Sequence, residues 1–555
     1  MLHSIRFDGK TPLPDERFGS LSFETVRLQP VSSIETVDLL VVGGGVNGTG
    51  IARDAAGRGL SVVLCEQHDL AQHTSSSSTK LIHGGLRYLE QYEFALVRKS
   101  LIEREVLLRG APHIMWPLRF VMPHDPSMRP AWMIRLGVFL YDHLARRELL
   151  PGSESIRLAG HAAGAPLKPR FSRGFVYSDG WVDDARLVVL CAVDAAERGA
   201  RVLTRTRCES VRREPDGWHA VLRGADGHET AVRARAIVNA AGPWAERFLR
   251  GSAARPDARS LRLIKGSHIV VRRLYDHPMA YIFQNPDKRI VFAIPYEDEF
   301  TLIGTTDVEH HGDPGSARVS DDEVAYLCAL INRYFVRQIG PADVVHGYAG
   351  VRPLLDDASG DPSAVTRDYA LELDAQAGAP LLSVWGGKIT TFRKLAEEAV
   401  DQLCGALGRE APAWTAHSAL PGGDLQDAPG APAPHAARPD QAFARFCEAL
   451  AQRHPWLPRP LAHRLARAYG SRVRLVLGQA ASLADLGEAI APGLHEAEAR
   501  YLMRHEWAQT ADDLLWRRSK LGLHLSAEQR EAVARWVERE SARAAATQPA
   551  GAACA

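Results

Sequence analysis

The chain has 555 residues, 46% of them hydrophobic and 24% charged, with 67 Lys+Arg against 66 Asp+Glu. This length and composition require two or three packed domains, not a single small core or a disordered chain. A formal net charge of +1 argues against a dedicated nucleic-acid binder, and no apolar run reaches the roughly 18 residues of a membrane-spanning helix.

Residues 1–35 are polar and irregular, broken by Lys10, Pro12, Pro14, Asp15 and Arg17, with no signal-peptide core. They read as an extension before the first domain. Cysteines at 65, 191, 208, 328, 404, 447 and 554 include no CxxC pair. They read as scattered reduced thiols, so neither a disulfide framework nor a metal site is expected. The expected location is the cytoplasm or the cytoplasmic face of a membrane.

Asp38–Val42 is an apolar run ending in Gly43-Gly44-Gly45. It predicts a buried strand entering a tight turn, then a helix from Val46 to Arg58 and a second strand, Leu60–Cys65, ending at Glu66. Gly43-x-Gly45-x-x-Gly48 thus follows a strand and opens a helix, with an acid 18 residues after Gly48. Gly43 permits the turn, Gly45 lets the backbone approach a pyrophosphate, and Gly48 permits close helix–strand packing. The helix N-terminus favours the phosphate charge, and Glu66 can accept hydrogen bonds from ribose hydroxyls. The motif alone leaves FAD and NAD open, while the acid argues against a 2′-phosphate.

Next comes Thr74-Ser75-Ser76-Ser77-Ser78-Thr79-Lys80, followed by Leu81-Ile82-His83-Gly84-Gly85-Leu86-Arg87-Tyr88. Small hydroxyl residues and a Gly-Gly pair allow close approach to phosphates and a flat ring, so Thr74, Ser75, Lys80 and His83 are candidate cofactor ligands. Trp132–Tyr141 is an apolar stretch flanked by Arg129, Arg146 and Arg147. It fits either a buried helix or an amphipathic helix in a membrane interface. Ser153–Arg170 looks loop-rich, Leu187–Glu197 helical, and Ala234–Asn239 a strand feeding Ala240-Ala241-Gly242. This last segment resembles the strand-to-glycine passage of flavoproteins and points to FAD, with Gly242 near the cofactor.

Residues 261–310 alternate as an antiparallel sheet would, with strands near 267–271, 289–294 and 301–304. Leu381–Trp385 leads into Gly386-Gly387-Lys388-Ile389-Thr390-Thr391, and a helix follows to Leu403. Gly387, Thr390 and the helix start could stabilise the anionic edge of a reduced flavin. Residues 421–439 look like a linker, 440–540 a helical domain, and 541–555 a disordered tail.

The stretches Asp38–Gly50, Thr74–Glu90, Arg129–His143, Tyr177–Leu187, Ile264–Val271, Ile303–Val308, Gly350–Pro353, residues 366–369 and Gly386–Thr391 together resemble the bacterial aerobic glycerol-3-phosphate dehydrogenases, over roughly residues 36–540. These are flavoproteins of the glycine/D-amino-acid oxidase type. The resemblance implies an α/β and α+β architecture. A Rossmann-like FAD-binding domain would be interleaved, over 36–420, with an antiparallel-sheet substrate domain at roughly 90–180 and 255–350, before the C-terminal helical domain.

It also implies oxidation of glycerol 3-phosphate to dihydroxyacetone phosphate by hydride transfer to noncovalent FAD, with ubiquinone or menaquinone as acceptor. A peripheral association with the anionic inner face of the cytoplasmic membrane follows, and a homodimer is left open. Arg87, Arg352, Arg367 and Lys388 match the family's substrate-binding basic residues; Arg suits a phosphate because its planar fork bonds two oxygens. Tyr88 packs by its ring or contacts substrate. His268, in Lys265-Gly266-Ser267-His268, is the candidate base or hydrogen-bond partner of the reacting hydroxyl, with His83 as a rival. Arg352 and Lys388 join His268 as catalytic candidates. An oxygen-using glycerophosphate oxidase and a non-catalytic flavin-binding protein are the alternatives.

Overall fold

Leu39, Leu40 and Val41 are fully buried on both faces of their strand. A continuous apolar run of this kind belongs in the middle of a parallel sheet covered on both sides. In the computed structural model, which describes residues 35–547 apart from 127–128, 256–258, 286, 288, 356–367, 377 and 426–437, that is where the run lies. Glu35–Val42 pairs in parallel with Val62–Cys65 on one side and Glu229–Asn239 on the other. Arg201–Leu203 and Leu381–Trp385 extend the parallel sheet outward, and Ala370–Asp374 adds an antiparallel edge. The chain leaves the first strand toward one side and returns on the other. This creates the topological switch point at which such sheets bind ligands.

Helices Val46–Gly57, Asp184–Glu197 and Phe392–Ala406 cover one face of this sheet through one core of Leu, Val and Ala. Asp183 caps the second, its carboxylate accepting the Arg186 N–H. Twelve of that helix's 14 residues are buried, because it lies between the sheet and the C-terminal domain. The hairpin Thr206–Glu214 and Gly217–Gly224 covers the other face.

A second, mostly antiparallel sheet contains Leu261–Arg272, Phe300–Gly304, Ile290–Tyr296, Ala280–Gln284, Met115–Pro123 and Arg173–Val182 in spatial order. Val344–Leu355 pairs along the whole of Leu261–Arg272, setting His268 opposite Tyr348 and Ile264 opposite Arg352. Helix Asp321–Asn332 packs on one face and helix Ala131–His143 on the other. The segment expected to be loop-rich contains the short strand Glu154–Arg157.

Helices from Pro439 onward form a third unit with its own core, including Phe446, Leu465, Tyr469, Leu502 and Trp536. The last helix runs to Thr547, through part of the stretch expected as a disordered tail. Its Ala-rich end is good helix-forming sequence, and Arg500 tethers Glu540 at 2.8 Å. The extension's residues 1–34 and most of the expected linker lie outside the described residues.

Close packing at the first turn is tight enough to test. A Cβ on Gly48 would lie 1.9 Å from the Gly43 carbonyl oxygen. Gly48→Ala therefore has to push helix and turn apart, at about 1–3 kcal/mol. Urea unfolding of the cofactor-free protein should show a lower midpoint; an unchanged midpoint would mean that this contact yields freely.

Candidate active site

Three parallel strands end at one edge of the first sheet, each in residues without bulk. Gly43 has φ +113°, Gly242 +55°, Gly386 +68° and Gly387 +103°, all in the region that favours glycine. Between these strand ends lies a cavity of about 310 Å³. A Cβ on Gly43 would sit 2.5 Å from the Ala240 oxygen, so the first turn can lie against the second strand end only without one. The Val46 N–H donates to Ser75 Oγ at 3.0 Å, pinning the serine-rich loop over the helix start.

Glu66 lines the same cavity. Its Oε2 accepts the Gly44 N–H at 2.7 Å and its Oε1 the His68 N–H at 2.8 Å. Burial nonetheless raises its pKa above the usual carboxylate range. Two backbone bonds leave the carboxylate lone pairs for hydroxyl donors. Asn47 donates from Nδ2 to the Gly386 carbonyl at 3.1 Å, while its Oδ1 is buried with no partner among the described residues. A glycine-walled slot with an acid at one end and an orphaned acceptor inside fits a long, polyhydroxylated dinucleotide such as FAD.

The structure brings Gly43, Gly45, Glu66, Thr74, Ser75, Gly242 and Gly387 together on this lining. Gly48 packs behind it. Lys80 requires correction as a cofactor ligand. Its ammonium is 2.7 Å from Asp184 Oδ1 and 3.1 Å from the Ser76 carbonyl, and the residue is 2% exposed. A buried ammonium needs such partners, so Lys80 pegs its own loop instead of facing the cavity. His83 and Thr390 meet each other, the His83 N–H donating to Thr390 Oγ1 at 3.1 Å, and so tie the histidine segment to the Gly386–Thr391 turn. Asn47, His73 and Trp244 also line the cavity and were missed. Asn47 lies inside the glycine motif and could have been found there; His73 and Trp244 carry no local signal.

Two of the predicted basic residues adjoin the Gly387 end in the chain: Lys388 follows it, and Arg352 precedes Pro353, which lines the cavity with Gly386. Lys388 Nζ sits 3.6 Å from the Tyr88 ring centroid, a cation–π contact joining two distant segments. Arg352 pairs with Asp307 and keeps 34% of its side chain exposed. His268 is 2% exposed, with its ring stacked on Tyr348 at 4.9 Å and Nε2 2.9 Å from Thr79 Oγ1. Burial, then the charges of Lys80 and Arg352, hold its pKa down to about 3. Such an imidazole is neutral and a poor base at neutral pH, which favours its hydrogen-bonding role. His83 is held at about 3 as well, by burial and by Lys388 and Arg104.

Arg87 points elsewhere. It lines a separate apolar groove of about 470 Å³ with Glu90, Arg129, Arg289 and residues of the 131–143 helix. Arg367 lies outside the described residues.

Residues 38–393 match the family model described as FAD dependent oxidoreductase, and residues 413–544 the one described as the C-terminal domain of alpha-glycerophosphate oxidase. A glycerol-3-phosphate dehydrogenase of Pseudomonas aeruginosa is 56% identical over 507 residues, spanning 91% of this chain and 96% of its own. A D-erythritol 1-phosphate dehydrogenase of Brucella abortus is 50% identical over 505 residues, spanning 91% and 98%. The solved glycerol-3-phosphate dehydrogenase of Bacillus halodurans, complexed with FAD, superposes with a TM-score of 0.69 at 29% identity, covering 91% of this chain and 90% of that one.

The buried imidazoles predict an acid response. His83, His113 and His268 are each held at about 3 against an ordinary 6.5, so between those values the unfolded chain binds protons that the folded chain does not. Their contribution is complete above pH 6.5 and is lost as pH falls toward 3, at up to about 1.4 kcal/mol per pH unit per histidine. His268→Gln should make the fall in stability shallower by one such share in urea unfolding between pH 7 and 5. An unaltered slope would show that His268 takes up its proton in the folded protein.

Proposed function

Because the chain belongs to the FAD-dependent oxidoreductase family, among the glycerol-3-phosphate dehydrogenases, we propose that it oxidises the C2 hydroxyl of sn-glycerol 3-phosphate to dihydroxyacetone phosphate and passes the electrons to ubiquinone or menaquinone. The observation that carries the substrate reading is a pair of cations at the Gly386-Gly387 turn of a dinucleotide-shaped cavity: Lys388 follows the turn, and Arg352, whose charge reaches His268, precedes Pro353 on the cavity lining.

The glycine turn and the N-terminus of the 46–57 helix would hold the pyrophosphate of FAD, and Glu66 its ribose. Bound FAD supplies the hydride acceptor. Arg352 and Lys388, with Arg367 as a further candidate, fix the phosphate dianion of the substrate, and Arg352 exchanges part of its contact with Asp307 for it. Burial and, after it, the charges of Lys80 and Arg352 keep His268 neutral, and the incoming dianion would offset the charge part of that effect. The imidazole would accept a hydrogen bond from the C2 hydroxyl and take up its proton as hydride leaves, so that the ketone forms and the proton rests on His268. The 50% identity to a D-erythritol 1-phosphate dehydrogenase favours a second reading, a polyol phosphate one carbon longer. Both substrates offer a phosphate and a neighbouring secondary hydroxyl to the same cations.

The acceptor and membrane readings rest on the second groove. No helix among the described residues is long and apolar enough to cross a membrane. Helix 131–143 instead exposes Trp132 at 66%, Leu136 at 50% and Phe139 at 46%, at spacings that share one face. Tyr92 and Phe94 add exposed rings, and Arg87, Arg129 and Arg289 rim the groove. Apolar side chains ringed by cations suit an interfacial position on anionic lipid, here the inner face of the cytoplasmic membrane, with the groove open to a quinone.

Anaerobic mixing of the yellow protein with glycerol 3-phosphate should bleach the oxidised-flavin band, and glycerol should not. D-erythritol 1-phosphate, run in parallel, ranks the two substrates. Arg352→Ala should raise the KM for the preferred one tenfold or more, as expected for losing a charge-assisted contact of about 1.5–3 kcal/mol. Absence of bleaching by either phosphate ester, in protein that holds FAD, would overturn the substrate reading.

Vesicle flotation tests the surface. Replacing both Leu136 and Phe139 by Asp should release the protein from vesicles containing anionic lipid without changing flavin bleaching. Undiminished flotation would remove this helix from the interface.

A further inference from the structure

We infer that the C-terminal domain is a working part of the cofactor site: Arg517 and Arg518 clamp Asp69, and through it the loop that walls the FAD cavity, so that FAD affinity depends on a contact made outside the cavity. The inference rests on the FAD reading above.

Asp69 is 1% exposed. Arg518 donates to its two oxygens at 2.5 and 2.8 Å, and Arg517 Nε donates at 2.5 Å. Two guanidinium groups on one carboxylate make a directional, charge-assisted grip. Neither arginine lines the cavity, but the loop they hold does, through Gln67, Ala71, Gln72, His73, Thr74 and Ser75. Asp69 and Gln72 close this loop on itself. The Asp69 N–H donates to Gln72 Oε1 at 3.0 Å, and the Gln72 N–H donates to the Asp69 carbonyl at 3.2 Å. Displacing Asp69 therefore displaces a cavity wall.

The same short segment of the C-terminal domain reaches a second stretch of the lining, next to Glu66. Asp513 accepts from Arg205 Nη2 at 2.6 Å, and the Arg205 N–H donates to the His68 carbonyl at 2.7 Å. Thr206 and Arg207, which follow, line the cavity. Trp516 stacks on His346 at 4.3 Å and 12°, on the strand that carries Arg352. That strand is bound to the cofactor loop by Thr74 Oγ1, which donates to the Val351 carbonyl at 2.6 Å. Behind the clamp, Arg518 donates to the Glu506 carbonyl, and the Glu506 carboxylate pairs with Arg186 on the helix beneath the sheet. Residues 513–518 thus hold two adjoining stretches that carry lining residues, and touch the proposed substrate strand, while contributing nothing to the lining. By linkage, FAD that orders the loop stabilises the docked segment by the same factor with which the docked segment strengthens FAD binding.

The test uses the full chain, stripped of flavin and reconstituted. In the unaltered protein, FAD should slow backbone hydrogen exchange across residues 506–518. Arg517→Gln, chosen because Arg517 keeps 13% of its side chain exposed, should weaken FAD binding tenfold or more by flavin fluorescence. It should also remove much of that protection. Its KM for glycerol 3-phosphate at saturating FAD should stay within twofold of the unaltered protein, and Arg517→Lys should recover part of the affinity. An FAD affinity within twofold in the folded variant would overturn the inference, as would exchange at 506–518 that ignores FAD; the exchange arm decides even if the variant does not fold. Failure of the unaltered chain to bind FAD at all would overturn the cofactor reading instead.

Discussion

The site depends on how closely three lengths of main chain approach one another. Gly43 lies against the Ala240 carbonyl and Gly48 against that of Gly43, with no room for a Cβ at either. Those contacts fix the ends of the 35–42 and 229–239 strands relative to the first helix. Asn47 then reaches the Gly386 carbonyl of the third strand end. Everything proposed about the cofactor follows from this meeting. The helix starts on the slot's lining, and Glu66 and the Gly386-Gly387 turn are part of the same lining. A side chain in the first turn would separate the strand ends before it touched any ligand, so these glycines are structural and functional for a single reason.

Around this frame the chain from Glu66 to Gln91 has little regular structure, and buried charges hold it in place. Lys80 is fixed by Asp184, and Asp179, which accepts the Gly84 N–H at 3.4 Å, is fixed by Arg104, all nearly inaccessible to water. Such pairs add little net stability, because desolvation offsets their attraction, but breaking one leaves an uncompensated charge. They therefore select one loop arrangement without greatly deepening its well. They also set the field in which His268 sits. Burial, and then the charges of Lys80 and Arg352, oppose its protonation, and of these two cations only Arg352 belongs to the proposed phosphate site.

How much of this was legible in the sequence follows from chain distance. The glycine motif, Glu66 and the strand–turn–helix order are local, and sequence spacing places them correctly. The sheet strands around residues 267–304 show their alternation for the same reason, although the observed strands run longer because cross-strand pairing extends them. Lys80 was misplaced because its partner Asp184 is 104 residues away, and a lysine after a serine run looks like a phosphate ligand when nothing local neutralises it. The clamp on Asp69 spans 449 residues, with an arginine pair that reads locally as one solvated helix face among many. The helix at 131–143 shows its apolar period in sequence, but which side chains remain exposed depends on the sheet it packs against.

The two candidate sites share one turn of chain. Arg87 and Tyr88 are consecutive in the 3₁₀ turn Leu86–Gln91, where neighbouring side chains diverge by about 120°. Arg87 consequently lines the apolar groove while Tyr88 lies under Lys388 at the substrate end. Gly85, at φ +79°, starts the turn, and Tyr92, at φ +59°, ends it, so its length is set at both ends by left-handed residues. This arrangement sets the polar end of the cofactor cavity and the apolar groove back to back across one turn. The wall between the proposed substrate end and the apolar groove is this single turn. That separation explains why Arg87, a basic residue beside the substrate group in sequence, faces away from it in space.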